Sequence, residues 1–475
     1  MRRPLRGLFP ALVAALVLAG CAVNQPAPPV SDLPAPTATA ADNALLARWW
    51  VAFDDSALTA LVDEALANNL DLKAALSRIE LARAQILLAQ ANLYPTVNLN
   101  ANAGRSRISG ATPGNSQPGV QLVSNDYLLG IDMSYELDIW GKYRSGALAA
   151  QNDLVASRYY REVVRITVAA DVAAAYFRLR AADAELALLR DTLASRKDTV
   201  QLQRDRWDAG LIGDYDLRQA EAEVSSVVGN IARSQQAIGL LESALAVLVG
   251  RSPRAVFTPE VGRGKPIELA AGVPFLPEGL PSGVLERRPD IRRSEALLAA
   301  SDLRITEARA DYFPALTLTG LYGSESAALA DLFNPPAAIW RFGLALVQPI
   351  IGIKRVDAAV DAATARRDAA LVDYQQTVQG AFRDVHDALV VNRTSREILA
   401  AESARRDQIA AALDVANLRY SAGRTSYLEV LDAQRTLLVA DTQRIAAARD
   451  ARLSIVGFAK ALGGGWSPEV FAAAQ

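Results

Sequence analysis

Two stretches of this chain say nearly the same thing. Asp71-Leu72 opens a helix-forming run that closes on Tyr94-Pro95, and Asp290-Ile291 opens another that closes on Phe313-Pro314, with the same spacing between starts as between ends. After each proline the pattern turns at once to strand alternation, in Pro95-Thr-Val-Asn-Leu-Asn and in Pro314-Ala-Leu-Thr-Leu-Thr. A later pair, Ala209-Gly210 and Ala422-Gly423, repeats at a slightly shorter offset. Self-similarity on this scale fixes the architecture before any local feature does. It predicts two copies of one helix–hairpin–helix unit, a plan that suits a symmetric, channel-like object better than an enzyme with one active site.

The repeat overrides the chain length of 475 residues, which alone suggests about three domains. A net charge of −2 provides no strong field to recruit nucleic acid. The one cysteine excludes an intramolecular disulfide, and the one histidine, His386, leaves little for zinc or histidine-based catalysis. His386 lies in a helix-forming run and reads as a packing or surface residue. Gly262-Arg-Gly-Lys265 has the look of a phosphate loop, but Pro266 stands where Ser or Thr would bind magnesium. No catalytic, cofactor or metal constellation is expected.

At the N-terminus, Arg2, Arg3 and Arg6 form a positive region, Leu8 to Leu18 an apolar one, and Leu18-Ala19-Gly20-Cys21 follows. This looks like a bacterial lipoprotein signal with Cys21 as the first mature residue, acylated on its thiol and amine. The competing reading is an ordinary secretory signal that happens to carry a cysteine. No other stretch offers the roughly 20 apolar residues of a transmembrane helix, so any further crossing must use strands.

Proline placement locates the longest elements. None occurs between Pro118 and Pro253, or between Pro349 and Pro468, and an interior proline would break a helix at a cost of about 3 kcal/mol or more. A helix from Tyr143 to Asp208 is expected, about 100 Å long at 1.5 Å per residue, with a similar one from Arg355 to Arg419. Along the second, Val360, Ala363, Ala370, Tyr374, Val378, Ala381, Val385 and Leu389 step by threes and fours, with one gap at Arg367, the spacing of a coiled coil. Each long helix ends in a glycine turn, Gly210-Leu-Ile-Gly213 or Gly423-Arg-Thr-Ser426, and a return helix follows, Asp214 to Val249 or Tyr427 to Leu462.

The resulting division is a signal peptide over 1–20, a lipidated tether over 21–53 and a first repeat over 54–250. The first repeat holds a strand hairpin near 95–139 and a helical hairpin over 143–249. A proline-rich linker, or irregular equatorial collar, over 251–289 leads to a second repeat over 290–466, with a strand hairpin near 314–349 and a helical hairpin over 353–462. A tail covers 467–475.

In the first strand hairpin, Asn98, Asn100, Asp132, Glu136 and Asp138 alternate with an apolar set that includes Val97, Leu99, Ile131, Met133 and Leu137. Such alternation fits a barrel with a wet lumen and a lipid-facing exterior; a half-buried soluble sheet is the other reading, and the nearby lipid anchor tips the balance to the barrel. Tyr94, Trp140, Tyr143, Phe313 and Trp340 serve either an interfacial girdle or a core. Four strands cannot close a barrel, and open edges in lipid leave backbone groups unpaired at several kcal/mol each. The chain must therefore oligomerise. Two copies supply eight strands, a barrel filled by its own side chains; three supply twelve, enough for a lumen.

Here the residues match a known family. Trp49-Trp50-Val-Ala-Phe53-Asp54, Leu285-Glu-Arg-Arg-Pro-Asp-Ile291, Glu307-Ala-Arg-Ala-Asp-Tyr-Phe-Pro314, Tyr427-Leu-Glu-Val-Leu-Asp-Ala-Gln-Arg435 and Ala461-Leu-Gly-Gly-Gly-Trp466 resemble the TolC-like outer-membrane efflux proteins, in the OprM/NodT-type lipoprotein branch. The resemblance implies a mainly α fold with a membrane β-barrel. Long helical hairpins would form a periplasmic α-barrel, and four strands per chain would complete a 12-stranded trimeric β-barrel. It also implies an outer-membrane address, docking through a periplasmic adaptor to an inner-membrane pump of the resistance-nodulation-division (RND) type, and no enzymatic activity. The family's periplasmic gate falls on Leu428, Asp432 and Arg435, whose spacing puts them on one helix face; a plain ion pair between Asp432 and Arg435 on a solvated helix is the competing reading. The adaptor-docking tips fall on Gly210, Gly213, Asp214, Gly423, Thr425 and Ser426. The function so implied is a passive exit duct for drugs, toxic compounds or metals. The alternative is a periplasmic adaptor or scaffold lipoprotein without a pore, against which the amphipathic strand hairpins count.

Overall fold

A computed structural model describes residues 48–111, 121–267 and 288–464. The signal peptide, Cys21, most of the tether, much of the proline-rich linker and the tail, Gly465 and Trp466 included, lie outside the described residues.

In chain order, a short 3-10 turn at Trp49–Phe53 leads to α1 (Ser56–Asn68), α2 (Leu70–Ala91), β1 (Thr96–Arg107) and β2 (Val123–Glu136). There follow α3 (Lys142–Asp208), α4 (Asp214–Leu248), α5 (Pro253–Phe257) and α6 (Pro289–Ala310). The chain continues through β3 (Ala315–Ser326), β4 (Ala338–Val347), α7 (Ile353–Ser421) and α8 (Tyr427–Ala461). The two helices drawn from the proline-free windows have 67 and 69 residues. Among the described residues no helix is long and apolar enough to cross a membrane.

The fold separates into two compact units that do not follow the repeat boundaries: 79–156 with 294–374 form one, and 48–78, 157–293 and the chain from 375 onward the other. Each unit draws on both repeats.

The first unit holds one antiparallel sheet in the order β1-β2-β3-β4. Its registers run without a bulge, from Thr96 opposite Ser134 to Arg107 opposite Val123, from Glu136 opposite Thr317 to Tyr127 opposite Ser326, and from Ala315 opposite Val347 to Ser324 opposite Ala338. β1 and β4 are free edges. β2 leaves the sheet at Glu136, short of the expected Ile139, because Asp138 is needed to start α3. At the sheet's base Trp140 stacks on Phe313 with ring centroids 4.6 Å apart, and its indole N–H donates to Pro314 O at 2.9 Å. These two rings pack together, while Tyr94 and Trp340 stay exposed. Arg367, the gap in the apolar spacing of α7, is filled by an ion pair to Asp302 on α6 at 3.0 Å.

The second unit is held by a core in which Trp49, Trp50 and Phe53 meet Leu58, Tyr176, Phe177, Leu245, Val249, Ile455 and Val456. Each large apolar side chain so buried contributes about 1.5–3 kcal/mol. Asp55 caps α1 by accepting from the amides of Ala57 and Leu58 at 2.9 and 3.1 Å. The same carboxylate accepts from Tyr176 Oη at 2.7 Å and from Lys265 N at 3.2 Å. The segment before Ile267 is thus strapped onto α1 and α3. The strap also disposes of the phosphate-loop likeness, since the amides of Gly264 and Lys265 already serve Tyr176 and Asp55.

Candidate functional site

The two expected tips share one backbone solution. After α3, Gly210 takes a φ of +70°, its N–H donates to Trp207 O at 2.9 Å, and Leu211 N donates to Arg206 O at 2.8 Å. After α7, Gly423 takes a φ of +68°, its N–H donates to Tyr420 O at 3.0 Å, and Arg424 N donates to Arg419 O at 2.8 Å. Both are C-caps in which a residue without Cβ reaches the left-handed region at little cost. Gly213 and Ser426 then open the return helices from extended backbone, neither with a side-chain cap. Asp214 lies in the first turn of α4 beside Arg218 at 3.4 Å, and Thr425 donates to Glu429.

The chemistry behind these turns differs. On α8, Leu428, Asp432 and Arg435 are exposed on one face, Leu428 at 52%. Arg435 does not pair with Asp432. Its Nε donates to Glu223 Oε1 on α4 at 2.8 Å. Glu223 is the better partner because its side chain is only 12% exposed, so the carboxylate faces weaker competition from water. That bond raises the Arg435 pKa further above its ordinary value. The Asp432 carboxylate has no hydrogen-bond or ion-pair partner among the described residues and acts on Arg435 only through space. At the equivalent positions of the first repeat stand Tyr215, Gln219 and Ala222, which carry no formal charge.

Further polar groups cross between the helices at this end. Arg196 on α3 reaches Gln434 on α8; it is 3% exposed, and burial pushes its guanidinium down from its ordinary value. Gln203, fully buried, donates to Tyr420 Oη at 3.1 Å, and the Arg206 guanidinium lies 5.0 Å from the Tyr420 ring centroid. Beside them Ala220, Tyr427, Val430 and Leu431 form a small apolar cluster. None of these cross-links was expected from the sequence, because each joins a helix of one repeat to a helix of the other and depends on their rotation. The one available signal was Glu223 at the offset position of Thr436, an acid where the second repeat carries none.

The sheet has two unlike faces. Cross-strand register puts Asn98, Asn100, Asp132, Ser134, Glu136, Thr317, Thr319 and Arg341 on one. Val97, Leu99, Ile131, Met133, Tyr322, Phe342, Leu344 and Leu346 occupy the other, much of it exposed. Asn98 Nδ2 donates to Asp132 at 3.1 Å and Asn100 donates to the same carboxylate. Glu136 accepts from Tyr143 Oη at 2.9 Å. Asp138, expected with this polar set, lies beyond β2. Its carboxylate accepts from the amides of Tyr143 and Arg144 at 3.1 and 2.9 Å, so it caps α3. Thr317, Thr319 and Arg341, in the second hairpin, were not singled out from the sequence, although alternation would have found them.

Compared with known proteins, residues 61–251 and 280–464 match the model of a family described as "Outer membrane efflux protein". The chain is 34% identical over 416 residues to the solvent efflux pump outer membrane protein SrpC of Pseudomonas putida, covering 87% of each chain. It is 30% identical over 467 residues to the cation efflux system protein CusC of Escherichia coli, covering 97% of this chain and 98% of the other. Among solved structures, the Campylobacter jejuni CmeC outer membrane channel aligns with a TM-score of 0.84 at 28% identity, over 93% of this chain and 91% of that one.

Proposed function

The chain belongs to the outer membrane efflux protein family, and from that premise we propose that three copies pool their strands and helical hairpins into a gated duct fed by an inner-membrane pump. As a member of that family it is an outer-membrane efflux channel with a mainly helical fold, a passive conduit rather than an enzyme or a pore-less scaffold. The trimer, the gate and the partners are our reading.

One observation carries it: a four-stranded sheet with two free edges, one polar face and one exposed apolar face. Free edges in lipid are untenable, so β4 of one copy pairs with β1 of the next, and twelve strands close around a lumen. The apolar face meets lipid and the polar face lines the passage. In the same reading Leu428 and Asp432 line the constriction at the tips, a ring of leucines above a ring of carboxylates. Arg435 acts by tying α8 to Glu223 of α4. Parting that pair lets the second-repeat hairpin move away from the first. An adaptor bearing on Gly210, Gly213, Asp214, Gly423, Thr425 and Ser426 supplies the differential contact that opening requires. Acylated Cys21 anchors the chain in the outer membrane. The partners of this reading are an adaptor and a pump of the RND type.

The two relatives named above carry solvent and cation systems, so cargo follows the pump rather than this channel. Unheated outer-membrane fractions run in SDS should show a band near three chain masses that collapses to one on boiling. A single monomer band, in SDS and in mild detergent alike, would refute the trimer.

A further inference from the structure

We propose that the barrel holds a point of discrimination of its own: a mixed-charge filter in which Arg341 offsets Asp132. The inference rests on the trimeric barrel proposed above and adds the residues that set its charge preference.

Asp132 and Arg341 belong to one cross-strand row. Asn98 stands opposite Asp132, Asp132 opposite Leu321, and Leu321 opposite Arg341. Residues directly opposite share a face, so the row places both charges on the polar side. Each is held or freed in a telling way. Asp132 accepts from two amides, Asn98 and Asn100, which fix its direction. Arg341 is exposed on the edge strand β4 and has no hydrogen bond or ion pair among the described residues. The adjacent row contains Gly130 and Gly323, and a Cβ on Gly323 would come within 2.3 Å of Leu129 O. Asn100 and Ile339 complete that row, and Leu321 Cδ1 lies 3.4 Å from where a Gly130 Cβ would stand, so the missing Cβ makes room for the leucine between the two charges.

The remaining charges of this face are all acidic: Asp126 and Glu325 toward one end, and Glu136, engaged by Tyr143, toward the other. Arg341 is therefore the one cation on the polar face of the described strands. Strands lie about 4.8 Å apart, so Asp132 and Arg341 are separated by about 10 Å within a chain. In the closed order β1-β2-β3-β4-β1, β2 and β4 alternate around the circumference, and so do carboxylate and guanidinium. With strands tilted 35–45°, the two kinds of charge form rings of opposite sign about 6 Å apart along the axis. The charges themselves stand about 10 Å apart, close to one Debye length of about 8 Å at physiological salt, so an ion passing at this depth meets both rings and each partly offsets the other. A lumen with Asp132 alone would favour cations strongly; Arg341 restrains it.

The test measures reversal potentials under a potassium chloride gradient in planar bilayers, using the full chain with its tips made leaky by D432A/R435A. D132N should lower the potassium-to-chloride permeability ratio by about twofold to threefold, and R341Q should raise it by a similar factor. R341K keeps the charge and should leave the ratio in place, which separates electrostatics from folding. Channels whose reversal potential ignores both D132N and R341Q would overturn the filter and leave the duct standing. Absence of current from the leaky-tip chain would overturn the duct, and the filter with it.

Discussion

The two tips have the same backbone and opposite chemistry. Gly210 and Gly423 adopt φ values of +70° and +68°, and each is closed by the same pair of backbone hydrogen bonds. Past them, one return helix carries Tyr215, Gln219 and Ala222, and the other Leu428, Asp432 and Arg435. The turn is constrained by local geometry, which only glycine meets cheaply, so it persists in both copies. The helix face is constrained by what it confronts, so the copies are free to diverge. A duplicated chain can thus keep its scaffold twice and place its switch once.

The sharpest way to break this contrast is electrical. D432A/R435A should raise single-channel conductance in planar bilayers severalfold, because it removes the carboxylate ring and the tie to Glu223. Y215A/Q219A, at the matching places of the first repeat, should leave it nearly unchanged. Equal effects from both pairs would show that the tips contribute alike.

A second contrast lies at the other ends of the return helices. Gly250 and Gly463 both take left-handed φ, +74° and +70°, and they are separated along the chain just as the two tip glycines are. Their surroundings differ. A Cβ at position 250 would meet the backbone oxygen of Asn68 at 2.3 Å, whereas at 463 its nearest neighbour is Arg288 Cγ at 3.2 Å. A backbone atom in a helix cannot yield, and a long side chain can. Either substitution incurs the left-handed penalty of about 1–2 kcal/mol, but Gly250→Ala should be worse than Gly463→Ala by about 1–3 kcal/mol. Thermal unfolding of the two purified variants measures the gap, and equal melting temperatures would deny it.

How much of this was legible follows the same division. The repeat, the proline-free windows and the glycine turns are sequence-local, and α3, α7, both tips and both strand hairpins are where they were expected. Alternation put Asn98, Asn100, Asp132 and Glu136 on one face because pleat geometry depends on parity alone. It misplaced Asp138, since parity does not reveal where β2 stops and a helix cap begins. The Arg435–Glu223 pair was out of reach because i,i+3 spacing suggested the local partner, Asp432, while burial of Glu223 decided for the distant one. Asn69 and Arg288, which precede the two matched helix-forming runs at equivalent places, make a subtler case. Asn69 Nδ2 donates to Leu248 O and Arg288 Nη1 to Ala461 O, both at 2.8 Å. The duplicated contact survives an exchange of side-chain type that no residue-by-residue comparison would pair.

That contact gives a smaller prediction. Asn69 also caps α2, accepting from the amides of Asp71 and Leu72 at 2.9 and 3.2 Å. Asn69→Ala loses the cap and the bond to the part-buried Leu248 carbonyl, and should cost about 1–2 kcal/mol. Chemical denaturation should show a lower midpoint with an unchanged slope.

The smallest effect concerns an ion pair present in the first repeat alone. Arg251, directly after Gly250, holds Glu64 at 2.8 Å, while the offset position of Arg251 is Gly464. The hydrogen bond from Arg251 holds Glu64 below its ordinary carboxylate pKa of 4.5. A depressed acid contributes its stability in full above the unfolded value and loses it as pH falls toward the folded one. Both side chains are partly open to solvent, at 22% and 32%, so the contribution is about 1 kcal/mol or less. Glu64→Gln should therefore melt slightly below the parent chain at neutral pH, and the two should converge as pH drops below 4.5. A gap that holds constant, or widens, on acidification would mean that packing around Glu64, rather than its charge, joins α1 to the end of α4.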